Sequence, residues 1–236
     1  MQKLNSKALR ALLLVGTAAT LSFTAPSVMA DDAITLSANA ALVSDYRFRG
    51  VSLSNEDIAI QGGFDASIEG GFYVGAWGSS IENFAGAETE LDIYAGYATS
   101  FSGLDFDIGM LAYTYPGSSD TTYWEAYTSI GGSAGTLGWT LGATYAFDQS
   151  NLGDQDNIYV YGDLSYPITD TALSINGHIG LEDGAFGDPA GGSKIDWTLG
   201  VAYDFKQFSL GVSYVDTNVD ADGSDAGVIL SLGASF

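Results

Sequence analysis

Between Thr136 and Phe147 the chain reads TLGWTLGATYAF. Leu137, Trp139, Leu141, Ala143, Tyr145 and Phe147 fall on one face, with Gly138, Thr140, Gly142, Thr144 and Ala146 on the other. KIDWTLGVAYD (194–204) sets Ile195, Trp197, Leu199, Val201 and Tyr203 against Lys194, Asp196, Thr198, Gly200, Ala202 and Asp204. TELDIYAGYA (89–98) does the same. A period of two belongs to strands whose sides meet different surroundings, not to helices.

Carried along the chain, the pattern predicts about twelve strands, at 34–49, 56–68, 71–79, 88–99, 104–115, 122–131, 136–147, 156–166, 171–182, 194–204, 207–217 and 226–236. Ten and fourteen are the alternative counts. Most of these runs exceed the ~5–6 residues of an ordinary globular strand. They suit a tilted strand crossing a bilayer, which needs ~9–11. The connections alternate too. EGG, SFSG, GSAG, PITD and FK are short, whereas VSLSNE, SIENFAGA, DQSNLGDQ, EDGAFGDPAGGS and NVDADGSD are longer and more acidic. Short turns at one end and long loops at the other predict an all-β fold, a closed antiparallel transmembrane β-barrel with both termini on the periplasmic side. Closure follows because a sheet edge has no hydrogen-bond partner in hydrocarbon.

Aromatic residues gather at strand ends on the apolar face. Trp139 and Phe236 stand at the short-turn end, and Tyr46, Phe48, Trp124 and Trp197 at the long-loop end, as two lipid-facing girdles would require. The terminal strand ends on Phe236, which resembles the signal read by the bacterial barrel-assembly machinery.

The first thirty residues differ from the rest. Lys3, Lys7 and Arg10 precede an apolar run too short to span, and Val28-Met29-Ala30 closes it before Asp31 and Asp32. This predicts a signal peptide at 1–30, export through the periplasm, and a single barrel domain at 31–236. Beyond the leader only four of the seven bases remain, against all 29 acids. Such a balance excludes a nucleic-acid partner, which needs basic surface. It suits loops that meet outer-membrane lipids and lipopolysaccharide. The chain has no cysteine.

Two of those four bases sit in SDYRFRG (44–50). Alternation through a first strand at 34–49 turns Asp45, Arg47 and Arg49 inward and leaves Tyr46 and Phe48 in the outer girdle. An inward Arg avoids the roughly 2–4 kcal/mol cost of facing lipid near the midplane. Gly50 then releases the chain into the first loop. The same parity predicts a lumen lined by Asp57, Asp65, Glu90, Asp92, Asp107, Glu125 and Asp163, together with nine bulky aromatics that include Tyr73, Tyr94 and Tyr161. Two readings of Arg47 and Arg49 stand side by side: a basic row that filters solutes across an acidic lumen, or a brace that neutralises wall carboxylates. The bore itself is either open or filled by its aromatics.

LVSDYRFRGVSLSNEDIAIQGGFD (42–65) and the glycine-rich strands after it resemble the TorF family of proteobacterial outer-membrane porins, over essentially the whole exported chain. The resemblance implies an outer-membrane, channel-forming barrel and supplies no catalytic residues. The residues themselves point away from enzymes. His178 is the only histidine, inward-facing beside Ser174 and Asn176. In DTNVDADGSDAG, Asn218, Asp220, Asp222 and Gly223 open like a calcium loop, but its last position falls on Ile229 where a glutamate is needed. No cofactor or metal is expected. The expected activity is passive passage of small polar or cationic solutes, with a non-conducting structural or surface-interaction barrel as the alternative.

Overall fold

The computed structural model describes residues 28–29, 34–118 and 121–236. Twelve strands form one wall: β1 Ile34–Val43, β2 Ala59–Ile68, β3 Phe72–Phe84, β4 Ala87–Phe101, β5 Leu104–Thr114, β6 Tyr123–Ala134, β7 Leu137–Gln149, β8 Gln155–Pro167, β9 Leu173–Gly184, β10 Lys194–Phe205, β11 Phe208–Thr217 and β12 Gly227–Ser235. Each strand pairs antiparallel with its sequence neighbours, and β12 returns to β1 from Ser231↔Val43 to Ser235↔Asn39. Phe236 extends that seam, its backbone N–H donating to Ala38 at 2.8 Å and its carbonyl accepting from Ala38 at 3.0 Å. The wall is therefore a closed cylinder with no free edge, as a membrane-spanning sheet requires. The expected leader at 1–30 lies outside the described residues except for Val28–Met29, whose backbone pairs with Leu36 and Thr35 of β1.

The alternation maps onto the wall as the sequence predicts. Leu141, Ile179, Leu199, Val212 and Leu230 point outward and are exposed to whatever surrounds the barrel, while Glu90, Asp92, Glu125 and Asp196 on the opposite face are buried. Trp124, Trp197 and Phe236 are exposed on the outer face. Trp139 shares that face, half-buried, its ring near Gly132.

At the short-turn end two-residue turns suffice. Ser102 and Gly103 join β4 to β5 with φ of 55° and 82°, the paired left-handed conformation of a type I′ hairpin. The expected long loop SIENFAGA is a correction. β3 and β4 extend through it, with a register shift between Ser80 and Phe84, to a tight turn at Ala85–Gly86. Phe84 and Ala87 pair directly across that turn, so most of the segment is strand.

The glycines of the inner face explain how a narrow wall holds so many large rings. Gly75 lies opposite Tyr94, and Gly142 opposite Tyr161. A Cβ on either glycine would overlap the neighbouring tyrosine ring. Each ring thus lies flat over a glycine on the next strand instead of projecting across the bore, the cross-strand arrangement known as aromatic rescue.

Candidate functional site

The first strand does not run to residue 49. It leaves the wall after Val43, and Ser44 hydrogen-bonds to β12: its N–H donates to the Leu230 carbonyl at 2.8 Å, and its Oγ accepts from the Leu230 N–H at 2.9 Å. The chain then turns into the barrel. Residues 47–48 and 51–52 form a small hairpin, with Arg47 paired to Ser52 and Phe48 to Val51. Its tip is Arg49–Gly50, at φ of 48° and 86°, another type I′ turn. Gly50 does not release a loop outward. It reverses the chain inside the lumen.

This corrects the placement of Tyr46 and Phe48, which are not in the lipid-facing girdle. Tyr46 is 2% exposed, packs with Val43, Ala59, Val215 and Ile229, and meets Trp77 edge-on at 5.5 Å. Phe48 packs against Tyr113, centroids 5.6 Å apart. The alternation through SDYRFRG is real, but it distinguishes the two sides of a hairpin inside the barrel. Asp57 is a second correction: it is an exposed residue of the turn that leads out of the hairpin, its carbonyl accepting from Ser54 Oγ at 2.7 Å, and not part of the lumen wall.

The base of the hairpin is organised by Asp45. Its carboxylate accepts from Ser52 Oγ at 2.6 Å and from Arg47 Nε at 2.5 Å. Arg47 also reaches across to the last loop, donating from Nη1 to the carbonyls of Gly223 and Asp225, both at 2.9 Å. Tyr46 donates its hydroxyl to Glu90 on β4 at 2.6 Å. On the other arm the Leu53 carbonyl accepts from the N–H of Glu82 on β3 at 2.8 Å.

At the tip, Arg49 crosses to the far wall. Its guanidinium bonds to Glu182 of β9 and, through Nη2, to Glu125 of β6 at 2.7 Å and Thr144 of β7 at 3.0 Å. It also lies over the Tyr159 ring of β8 at 4.4 Å. Gly50 sits against β10 and β11, where a Cβ would stand 2.9 Å from the Cβ atoms of Asp196 and Thr217. One short hairpin therefore touches most of the circumference.

The charges around it are matched in part. Glu182 is fully buried and holds Lys194 of β10 at 2.5 Å and the Asn157 amide at 2.9 Å besides Arg49. Glu125, also fully buried, accepts from Tyr113 at 2.9 Å. Burial alone would lower the proton affinity of Arg49, but Glu125 and Glu182 outweigh it and hold the group charged well above its usual range. Burial, then the charges of Glu90 and Asp92, push the Tyr46 hydroxyl well up, so it stays a neutral donor.

Elsewhere the lumen pairs carboxylates with tyrosines. Tyr94 donates to Asp65 and Tyr73 to Asp107 at 2.6 Å, and Tyr115 joins Tyr46 on Glu90 at 2.7 Å. His178, which the sequence left as an isolated polar residue, stands between Asp163 at 2.7 Å and Tyr159 at 2.7 Å, with Asp196 at 3.3 Å. Asp92 is buried with one carboxylate oxygen lacking any protein partner. Of the expected lumen set, the structure places Asp65, Glu90, Asp92, Asp107, Glu125 and Asp163 on the inner wall and Asp45, Arg47 and Arg49 in the hairpin that fills its centre.

A closed cylinder of twelve antiparallel strands with an apolar exterior and an acidic, tyrosine-lined interior has the fold of a transmembrane β-barrel. Residues 27–230 match the model of Gcw_chp, described as bacterial protein of unknown function, and the chain belongs to that family. Its fold is similar to two solved porins. The KdgM porin superposes with a TM-score of 0.60 at 11% identity, covering 85% of this chain and 98% of that one. The NanC porin superposes at 0.58 and 12% identity, with the same coverage. Among curated proteins none matches the chain.

Proposed function

We propose that the protein is a bacterial outer-membrane channel for small polar or cationic solutes, with the 44–58 hairpin as its resident constriction. The observation that carries this is the charge balance of the lumen. Arg47, Arg49 and Lys194 each bond to carboxylates. On the lumen wall Asp65, Glu90 and Asp107 accept from tyrosine hydroxyls, and one carboxylate oxygen of the buried Asp92 has no protein partner. A low-dielectric tube lined this way concentrates cations and repels anions. The flat-lying tyrosines support a bore beside the hairpin, since rings pressed on glycines do not themselves project across the lumen. The resemblance to the TorF porins is in keeping with this reading. So is export to the outer membrane, with Phe236 presenting the closing strand to the assembly machinery and the acidic loops facing lipopolysaccharide.

The hairpin itself favours the second reading, a non-conducting barrel with a structural or surface-interaction role, because it is tied to several sides of the wall. Planar-bilayer recording of the refolded protein separates the two. The channel reading expects resolvable steps and a reversal potential of cation selectivity in a salt gradient. Silence from both the native barrel and a variant with 44–58 replaced by a short turn would sink it.

A further inference from the structure

Above the hairpin, on the long-loop side, the barrel holds a cavity of about 310 Å3. We propose that it is a binding site for an amphipathic organic cation, an ammonium group carried on an apolar body. The proposal deepens the channel reading, on which it rests for the route of the solute.

Rings make up half of the lining residues. Phe84 meets Tyr115 with centroids 4.8 Å apart, Tyr115 meets Tyr123 at 6.0 Å, and Tyr123 meets Phe186 at 5.9 Å. Phe48 and Tyr113 close the inner side. Successive rings stand at 60°, 73° and 86° to one another, so they meet steeply tilted instead of stacking into a block, and all four line the space. Aromatic faces arranged as a cage attract a cation through the ring quadrupole, most strongly where water is displaced.

The polar groups select the sign of charge. Glu82 and Glu90 line the cavity, and among the described residues no Lys, Arg or His does. Two lining tyrosine hydroxyls are already engaged as donors: Tyr115 donates to Glu90, and Tyr113 to Glu125. An anion would therefore meet carboxylates and few donors. A polyhydroxylated neutral solute needs several donors as well as acceptors, and among the described lining residues only the Asn83 amide and the Tyr123 hydroxyl offer them, since Ser52 already donates to Asp45. A cation with an apolar body finds both of its requirements met. The cavity is also held in place, because Leu53 and Phe48 enter its lining from a hairpin fixed to β3 and β4 by the Leu53 and Tyr46 hydrogen bonds.

Titration calorimetry on the refolded protein in detergent tests this with three probes of similar shape: phenethylammonium, neutral 2-phenylethanol and anionic 3-phenylpropionate. The expected result is saturable one-to-one binding of phenethylammonium, weaker binding of the alcohol and none of the acid. Phe84→Ala and Tyr123→Ala should each weaken the cation roughly fivefold, the scale of one cation–aromatic contact. Glu82→Gln should weaken the cation and leave the alcohol unchanged. Phe84, Tyr123 and Glu82 lie at the rim, and a heat-modifiable gel band verifies that each variant folds. Equal affinity for all three probes, or cation affinity untouched by both ring variants, overturns the proposal. Binding in detergent needs no conduction. A silent barrel that binds the cation keeps this site and loses the channel; a conducting barrel that ignores it does the reverse.

Discussion

Arg49 Nη2 donates to both carboxylate oxygens of Glu125, at 3.0 and 2.7 Å, although the two residues start from opposite sides of the barrel, one on an inward hairpin and one on β6. This pairing, with Glu182 on the other arm of the guanidinium, ties the hairpin tip to the far wall.

Arg49→Met should cost about 3–5 kcal/mol, because it strands a buried carboxylate instead of merely deleting an attraction. Urea unfolding of the refolded barrel, followed by tryptophan fluorescence, measures it. Adding Glu125→Gln should recover a substantial part, since Glu182 keeps Lys194 while Glu125 loses its charge. A double variant no more stable than the single one would mean that the pair carries no such weight. If the hairpin loosens as expected, single-channel conductance rises in Arg49→Met.

Gly50→Ala tests the tip from the steric side. The residue sits at φ 86°, where a side chain costs about 1–3 kcal/mol. The new methyl also meets Asp196 and Thr217. The expected outcome is a lower unfolding midpoint together with freer protease access at 44–58. The same change at Gly103, which shares a positive φ but has open space around it, should show the backbone cost alone.

The chain has no cysteine, so single introduced thiols report cleanly on which residues face lipid. A spin label at Ile60→Cys, on the outer wall at 67% exposure, should be relaxed strongly by oxygen dissolved in the bilayer. Labels at Tyr46→Cys and Phe48→Cys should not. High oxygen accessibility at either of those two would restore them to the girdle.

Gly142→Val should push the Tyr161 ring off the wall. Overpacking of this kind costs about 1–3 kcal/mol, and the displaced ring narrows the bore. A smaller conductance step together with reduced stability is expected. An unchanged step would mean that the ring has room to move elsewhere.

The wall was legible from residue types alone because alternation, strand length and turn chemistry all point to the same cylinder. KIDWTLGVAYD and TLGWTLGATYAF needed nothing beyond their period. The hairpin was not legible. SDYRFRG keeps the same parity as the strand before it, and parity separates two faces without saying where the strand stops. Arg49–Gly50 is a weak turn signal, since arginine seldom adopts the left-handed region that a type I′ turn asks of it. What holds it there is Glu125, Glu182 and Tyr159, which are distant in sequence. The carboxylates of the wall were foreseeable by position, but their tyrosine partners depend on register between strands. The pairing of His178 with Asp163 follows from one such register, which sets those residues directly opposite each other.

Chain order gives the hairpin a history. Its residues are synthesised early, directly after β1, yet Glu182 lies 133 positions downstream of Arg49 and Thr217 is farther still. Contacts of such sequence separation form late, after the entropy of closing long loops has been met by other interactions. The tip has no far wall to grip until β9, β10 and β11 have joined. During assembly the barrel therefore passes through a vacant form, and a segment made early is seated late.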